Sequence, residues 1–117
     1  MPKLILLRHG ESLWNKANRF TGWVDVPLSP NGITEALNAG KMLQHLPIDC
    51  IYPSTLMRAQ MTATLAMQAH PSKKIPILMH NESTKMRDWT TIHSTAALEH
   101  CLPMYADWRL NERYYGL

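Results

Sequence analysis

The residues with the clearest chemical potential are Arg8, His9 and Gly10, which directly follow an apolar run over residues 4–7. In open α/β sheets, ligands bind beyond the carboxyl ends of the strands, so this is a favourable position for cationic side chains that bind a ligand. A histidine beside arginines is held neutral, because a further positive charge is unfavourable there. Neutral imidazole is a nucleophile that can attack phosphorus while guanidinium groups take up charge on the phosphoryl oxygens. The pattern predicts phosphoryl transfer at His9, and a structural histidine at a strand end is the alternative.

A second group of candidate residues follows the apolar segment Asp49–Tyr52. Ser54 is predicted to cap a helix from about Thr55 to His70, and the N-terminus of a helix offers free N–H groups and a positive dipole end to a phosphate. Arg58, one turn into this helix, can add a bidentate guanidinium to the same anion. The spacing therefore predicts that two distant segments contribute to one anion site.

The elements that must position these residues alternate between strands and helices. Ser29 and Pro30 predict the start of a first helix, which Pro47 ends. The predicted strands are short apolar runs: Lys3–Leu7, which is apolar enough to be buried on both faces, Asp49–Tyr52 and Ile75–Leu78. This alternation is typical of an α/β protein with a mostly parallel sheet.

The segment from Met79 to Met104 is polar and shows no sustained apolar stripe, apart from a possible short helix around Ser94–His100. It is interpreted as an insertion or lid, 79–104. No closing helix follows Tyr115-Gly116 before Leu117. We therefore expect residues 1–117 to be the N-terminal part of a single domain, incomplete at its C-terminus.

Composition excludes several classes of protein. The chain has 117 residues, of which 45% are hydrophobic, and no apolar run approaches the roughly 20 residues of a membrane span. The N-terminus lacks the features of a signal peptide, and Cys50 and Cys101 form no CxxC pattern, so we expect a cytoplasmic protein without a disulfide framework. The net charge of +3 is scattered rather than clustered, so nucleic acid is not indicated as a partner.

One group of metal-ligating residue types occurs near the end of the 79–104 segment. It consists of His93, Glu99, His100 and Cys101. Their spacing fits no common structural zinc pattern, so no metal is expected.

Three longer motifs resemble the cofactor-dependent phosphoglycerate mutases of the histidine phosphatase superfamily. They are RHGESLWN at 8–15, NRFTGWVDVPLSPNG at 18–32 and LNERYYG at 110–116. The resemblance covers nearly the whole chain. It implies a three-layer α/β sandwich around a mostly parallel sheet, and an enzyme that interconverts 3-phosphoglycerate and 2-phosphoglycerate.

The resemblance also implies roles for individual residues. His9 would be the nucleophile, primed as phosphohistidine by 2,3-bisphosphoglycerate, and Arg8 and Arg58 would bind the transferring phosphoryl group. Glu112 would be the proton donor and acceptor for the substrate hydroxyl. Further residues match positions that line the phosphate and substrate pocket: Ser12, Asn15, Thr21, Gly22 and Tyr115.

The chain departs from the family in length, because members of the family are roughly twice as long, as expected for an α/β enzyme of ordinary domain size. The His-Gly motif of their second half, which carries another active-site histidine, has no counterpart here. The chain therefore resembles the N-terminal half of a mutase. Two alternatives stay open: a phosphomonoesterase of the same superfamily, and a truncated form without catalytic competence that could form a homo-oligomer. The segments Phe20–Trp23 and 110–116 favour the mutase over the phosphatase.

Overall fold

The computed structural model describes residues 4–8, 10, 12–13, 26–80, 83–90 and 95–110. Within these ranges the regular elements are mostly short helices and two strands. In chain order they are α1 (Pro30–Met42), α2 (Met57–Ala69), β1 (Ile75–Leu78), α3 (Thr84–Thr90), α4 (Thr95–His100), β2 (Cys101–Met104) and a 3₁₀ turn (Trp108–Leu110).

Helix α1 begins where the sequence predicts. The hydroxyl of Ser29 accepts a hydrogen bond from the N–H of Gly32 at 3.1 Å, and Pro30 occupies the first turn. This cap satisfies one of the backbone donors that a helix start leaves without an intrahelical partner, and proline loses nothing there because its missing N–H would be unsatisfied anyway. Lys41 in the last turn complements the negative end of the helix dipole.

The two long helices pack against each other through their backbones. Gly40 of α1 lies so close to Ala66 of α2 that an added Cβ would overlap the Ala66 carbonyl oxygen. Ala36, one turn before Gly40, is 1% exposed. Small residues on facing helices therefore allow α1 and α2 to approach each other closely.

A buried histidine links the C-terminus of α2 to the turn that follows α1. His70, at the C-terminus of α2, is 5% exposed, and its Nε2 lies 2.9 Å from the carbonyl oxygen of Leu46. The N–H of Ser72 donates to Nδ1 at 3.2 Å. Because Nδ1 accepts, Nε2 carries the proton and donates to Leu46, so His70 is explained as a structural residue.

Helix α2 begins later than predicted. It runs from Met57 rather than Thr55, and its N-cap is Leu56, which makes no side-chain cap. The hydroxyl of Ser54 instead accepts from the N–H of Leu56 at 3.4 Å, closing a turn in front of the helix. The prediction that Ser54 caps the helix is therefore wrong, because this hydroxyl stabilises the preceding turn.

The sheet is parallel, as predicted, but the sequence does not predict β2, which pairs with β1 and also forms a bridge with Ile51. β1 pairs with β2 in the register Ile75 to Cys101 through Leu78 to Met104, and Leu102 and Met104 are buried. The sequence places residues 101–104 inside the polar 79–104 segment and indicates no strand there.

The predicted strand Asp49–Tyr52 is reduced to a single bridge between Ile51 and Met104. Ile51 donates to the carbonyl of Pro103 at 3.0 Å and accepts from the N–H of Tyr105 at 2.9 Å. Pro103 has no N–H with which to extend this ladder toward Asp49, so the pairing stops after one residue.

The prediction of a buried strand over Lys3–Leu7 is also wrong for the described residues 4–7. These residues form no regular strand, and Leu4 and Leu6 are 85% and 86% exposed. A strand buried on both faces needs neighbouring strands and a layer on each side, and no described strand pairs with this segment.

Candidate active site

Gly10 is the point at which three parts of the molecule meet. It is buried, and a Cβ at this position would overlap the backbone carbonyl oxygen of Gly32 in the first turn of α1. On its other side, its N–H donates to the hydroxyl of Thr62 in α2 at 3.4 Å. Only a glycine fits such a close backbone approach, so the residue after His9 is fixed between α1 and α2.

The next residues extend this docking along the chain. Ser12 is fully buried and forms an antiparallel bridge with Leu28, and the N–H of Leu13 donates to the carbonyl of Pro27 at 3.1 Å. Ser12 and Leu13 therefore lie against Pro27 and Leu28, which lead directly into α1. As a result, the N-terminal turn of α1, with its positive dipole end, lies beside Gly10 and Ser12.

Arg58 supplies a buried cation in the first turn of α2. It is fully buried, and no acidic side chain lies in that turn of the helix. One turn further on, Thr62 is 4% exposed and donates its hydroxyl proton to the carbonyl of Arg58 at 2.7 Å. Removing a guanidinium from water is costly, so a buried arginine needs polar or anionic partners, and its planar fork suits a carboxylate or a phosphate.

The predicted site residues lie in different environments. Ser12 and Arg58 are both fully buried, and they are linked to Gly10 by the chain and through Thr62. Arg8 is exposed and lies outside any regular strand. The two arginines that the sequence treats as equivalent therefore differ in solvation. Several predicted residues lie outside the described ranges: His9, Asn15, Thr21, Gly22, Glu112 and Tyr115.

Sequence reasoning missed Thr62. The signal was available, because Thr62 lies four residues after Arg58 and therefore on the same face of α2.

The turn that precedes the predicted Glu112 motif carries a close ion pair. Arg109 Nη2 lies 2.6 Å from Asp107 Oδ2, and the backbone N–H of Arg109 donates to Oδ1 at 2.9 Å. These bonds from Arg109 lower the pKa of Asp107 to about 2. Asp107 is therefore ionised at neutral pH and already engaged by Arg109, which makes it a poor candidate for the acid–base role predicted for Glu112.

An open apolar groove of about 430 Å³ runs along α2 and is also lined by Ile33 of α1 and Met104 of β2. Its lining includes Met57, Met61 and Leu65, and among the described residues the polar side chains that line it are Gln60 and Thr64. Because the described lining offers no charged group to an anion, the candidate site is the buried cluster at Gly10 and not this groove.

The described residues bring no three His, Cys, Asp or Glu side chains close enough together to hold a metal ion. His93, one of the four residues weighed as a zinc set, lies outside the described ranges. Every helix in those ranges is too short or too polar to cross a membrane.

The fold and the buried residues around Gly10 agree with a family match over almost the whole chain. Residues 4–116 match the model of the histidine phosphatase superfamily, branch 1, and the chain belongs to that family. Similar curated proteins are 2,3-bisphosphoglycerate-dependent phosphoglycerate mutases. The chain is 52% identical over 116 residues to the one from Protochlamydia amoebophila and 56% identical over 116 residues to the one from Chlamydia muridarum.

These matches cover 99% of this chain, but only 51% and 50% of the two relatives. The chain therefore spans about half the length of the curated relatives it matches, and it corresponds to their N-terminal half. A solved structure, Bacillus stearothermophilus YhfR, aligns with a TM-score of 0.63 at 29% identity over 93% of this chain and 39% of that one. The likeness supports the predicted phosphoglycerate mutase-like α/β fold.

Proposed function

We propose that this chain is the N-terminal half of a phosphoglycerate mutase that interconverts 3-phosphoglycerate and 2-phosphoglycerate through a phosphohistidine at His9. The observation that carries the proposal is the buried Arg58, which Thr62 links to the backbone of Gly10, the residue after His9. The identity to mutases of this type, 52% and 56%, supports the same substrate class. The proposed setting is glycolysis or gluconeogenesis in the cytoplasm.

The site has the chemistry that an anionic phosphoryl donor requires. Arg58 is a buried cation, and the positive end of the α1 dipole lies beside Gly10 and Ser12. These features fit 2,3-bisphosphoglycerate, which when bound supplies the phosphoryl group that charges His9. The proposal includes no metal, because two guanidinium groups and helix N–H donors can neutralise the phosphoryl oxygens.

In the proposed mechanism His9 acts as the nucleophile. A ring nitrogen of His9 attacks phosphorus, a bond forms between nitrogen and phosphorus, and the bond from phosphorus to the donor oxygen breaks. Arg58 and Arg8 hold the equatorial oxygens during this step. Glu112 accepts the proton of the substrate hydroxyl that next attacks the phosphohistidine, and in the opposite direction it returns that proton.

The proposal includes further roles for residues and segments. Five further residues line the pocket for the phosphoglycerates: Ser12, Asn15, Thr21, Gly22 and Tyr115. Residues 1–117 belong to one domain, and the exposed part of the 79–104 segment before β2 acts as an insertion or lid.

The intact mass of the chain after incubation with 2,3-bisphosphoglycerate tests the proposal. We expect one added phosphoryl group that is stable at neutral pH and lost in acid, because a phosphoramidate bond is acid-labile. His9→Ala should abolish the addition, whereas His45→Ala, at an exposed histidine, should leave it unchanged. If a folded sample gains no mass, this chain is not competent alone, and the truncated alternative is correct.

Two further variants separate the proposed roles. Arg58→Lys should slow the loading of His9 by roughly 10²-fold, because lysine keeps the charge but loses the planar fork, whereas Arg87→Lys on the exposed helix α3 should have no effect. Glu112→Gln should slow both the loading of His9 and the conversion of 3-phosphoglycerate, because the same carboxyl returns a proton in the first step and accepts one in the second. Unchanged rates in both steps would contradict the acid–base role, and release of inorganic phosphate as fast as mutation would favour a phosphatase.

A further inference from the structure

Thr62 has a buried hydroxyl with two backbone partners from distant parts of the chain. It donates to the carbonyl oxygen of Arg58 at 2.7 Å and accepts from the N–H of Gly10 at 3.4 Å. A hydroxyl has one proton to donate, and the short distance commits that proton to Arg58. The oxygen is therefore left to accept from Gly10, and the two bonds have fixed directions.

The hydrogen bond to Gly10 acts on a backbone that is already confined. The Cα of Gly10 lies against the first turn of α1, where an added Cβ would come within 2.9 Å of the Cα of Gly32. The N–H that donates to Thr62 belongs to the peptide bond that joins His9 to Gly10. Because a peptide unit is planar, a hydrogen bond to its N–H restrains rotation of the whole unit.

We propose that Thr62 is a positioning residue that couples the His9–Gly10 peptide to the turn of α2 that carries Arg58. The proposal rests on the proposed function, in which His9 is the nucleophile and Arg58 binds the phosphoryl group. A nucleophile and its charge-stabilising group must keep their relative geometry, and a misplacement of about 1 Å can cost roughly 10²-fold in rate. The Oγ1 atom of Thr62 is hydrogen-bonded both to the backbone N–H of Gly10, the residue after His9, and to the backbone carbonyl of Arg58.

The hydroxyl, not the shape of the side chain, carries this role, so the variants separate the two. Thr62→Val removes the hydroxyl and keeps the branched shape, whereas Thr62→Ser keeps the hydroxyl and removes the methyl group. Thr64→Val is the matched control, because Thr64 is an exposed threonine on the same helix. Thr62→Ala removes the hydroxyl without introducing a new group, and it replaces Thr62→Val if that variant does not fold.

The first measurement is the rate at which 2,3-bisphosphoglycerate phosphorylates His9, at a temperature where every variant is folded. We expect Thr62→Val to slow this reaction by about 10-fold to 10²-fold. Thr62→Ser and Thr64→Val should react at close to the rate of the unchanged chain. A Thr62→Val variant that reacts at the unchanged rate, or a Thr62→Ser variant as slow as Thr62→Val, would overturn the proposal.

The second measurement does not depend on catalysis. The amide of Gly10 should exchange its hydrogen with solvent faster in Thr62→Val than in Thr62→Ser or Thr64→Val, because the acceptor has been removed. If the unchanged chain is not phosphorylated, the proposed function fails for this chain, and amide exchange alone decides whether Thr62 restrains Gly10. Unchanged exchange in Thr62→Val would refute the restraint.

Discussion

Two four-residue segments, Leu4–Leu7 and Cys101–Met104, differ in burial and in secondary structure. The first is entirely aliphatic, yet Leu6 is 86% exposed and the segment forms no regular strand. The second contains a proline, yet it forms β2, and its Leu102 is 1% exposed. β2 has β1 on one side and Ile51 on the other, whereas no described strand pairs with residues 4–7. Burial here follows from the available neighbours rather than from the hydrophobicity of the segment.

Truncating Leu102 should have the largest effect. Leu102→Ala removes a buried side chain from β2 and leaves a cavity, which should lower the free energy of unfolding by about 3 kcal/mol. Urea denaturation followed by tryptophan fluorescence measures the change. A loss below about 1 kcal/mol would show that the surroundings of Leu102 collapse easily, and that β2 is not the packed strand that the structure describes.

A methyl group at Gly40 should have the next largest effect, because it separates the helix pair. The Cβ of Gly40→Ala would overlap the carbonyl oxygen of Ala66. Overpacking of this kind costs about 1–3 kcal/mol, and the higher helix propensity of alanine offsets about 1 kcal/mol of that cost. We expect a net loss of up to about 2 kcal/mol in urea denaturation.

The control is Asn38→Ala, at an exposed position of the same helix. It gains helix propensity without any clash and should be neutral or slightly stabilising. A stabilised Gly40→Ala variant would mean that α1 and α2 lie further apart than the structure indicates.

The cap of α1 should contribute less. Ser29→Ala leaves the N–H of Gly32 without its 3.1 Å acceptor in a buried position, which should cost about 1 kcal/mol. Ser83→Ala is the comparison, because Ser83 accepts from the N–H of Met86 at the same distance but lies at the start of the exposed helix α3. If both substitutions cost the same, the burial of the α1 cap adds nothing to its strength.

The predictable parts of the fold are those that depend on local chemistry. Ser29 and Pro30 predicted the start of α1, because a cap acts within one turn. Ile75–Leu78 was also predicted, and it tolerates Pro76 because this strand has β2 on one side and no described strand on the other. β2 was missed because Pro103 is unusual in a central strand and the preceding residues are polar.

In the candidate site, too, local patterns point to some residues, whereas long-range contacts are visible only in the structure. Ser12 was proposed from a motif and Arg58 from its place one turn into the second predicted helix, and the structure describes both as fully buried. The contact between Thr62 and Gly10 joins residues 52 positions apart. No local pattern encodes such a contact, because it depends on how α2 packs against the segment that follows residue 8. Hence the sequence could propose candidate residues, but only the structure reveals the hydrogen bond between Thr62 and Gly10.

The smallest expected effect concerns Leu6 and tests the opening comparison directly. Leu6→Ala makes the same chemical change as Leu102→Ala, but at a side chain that is 86% exposed. A surface truncation should change the free energy of unfolding by no more than about 0.5 kcal/mol. The two leucines, measured side by side in urea, therefore differ in burial and not in chemistry. A loss of about 2 kcal/mol or more at Leu6 would mean that residues 4–7 are buried in solution, as their sequence predicts. The segment would then have packing neighbours that the described residues do not supply, and hydrophobicity alone would have predicted its burial correctly.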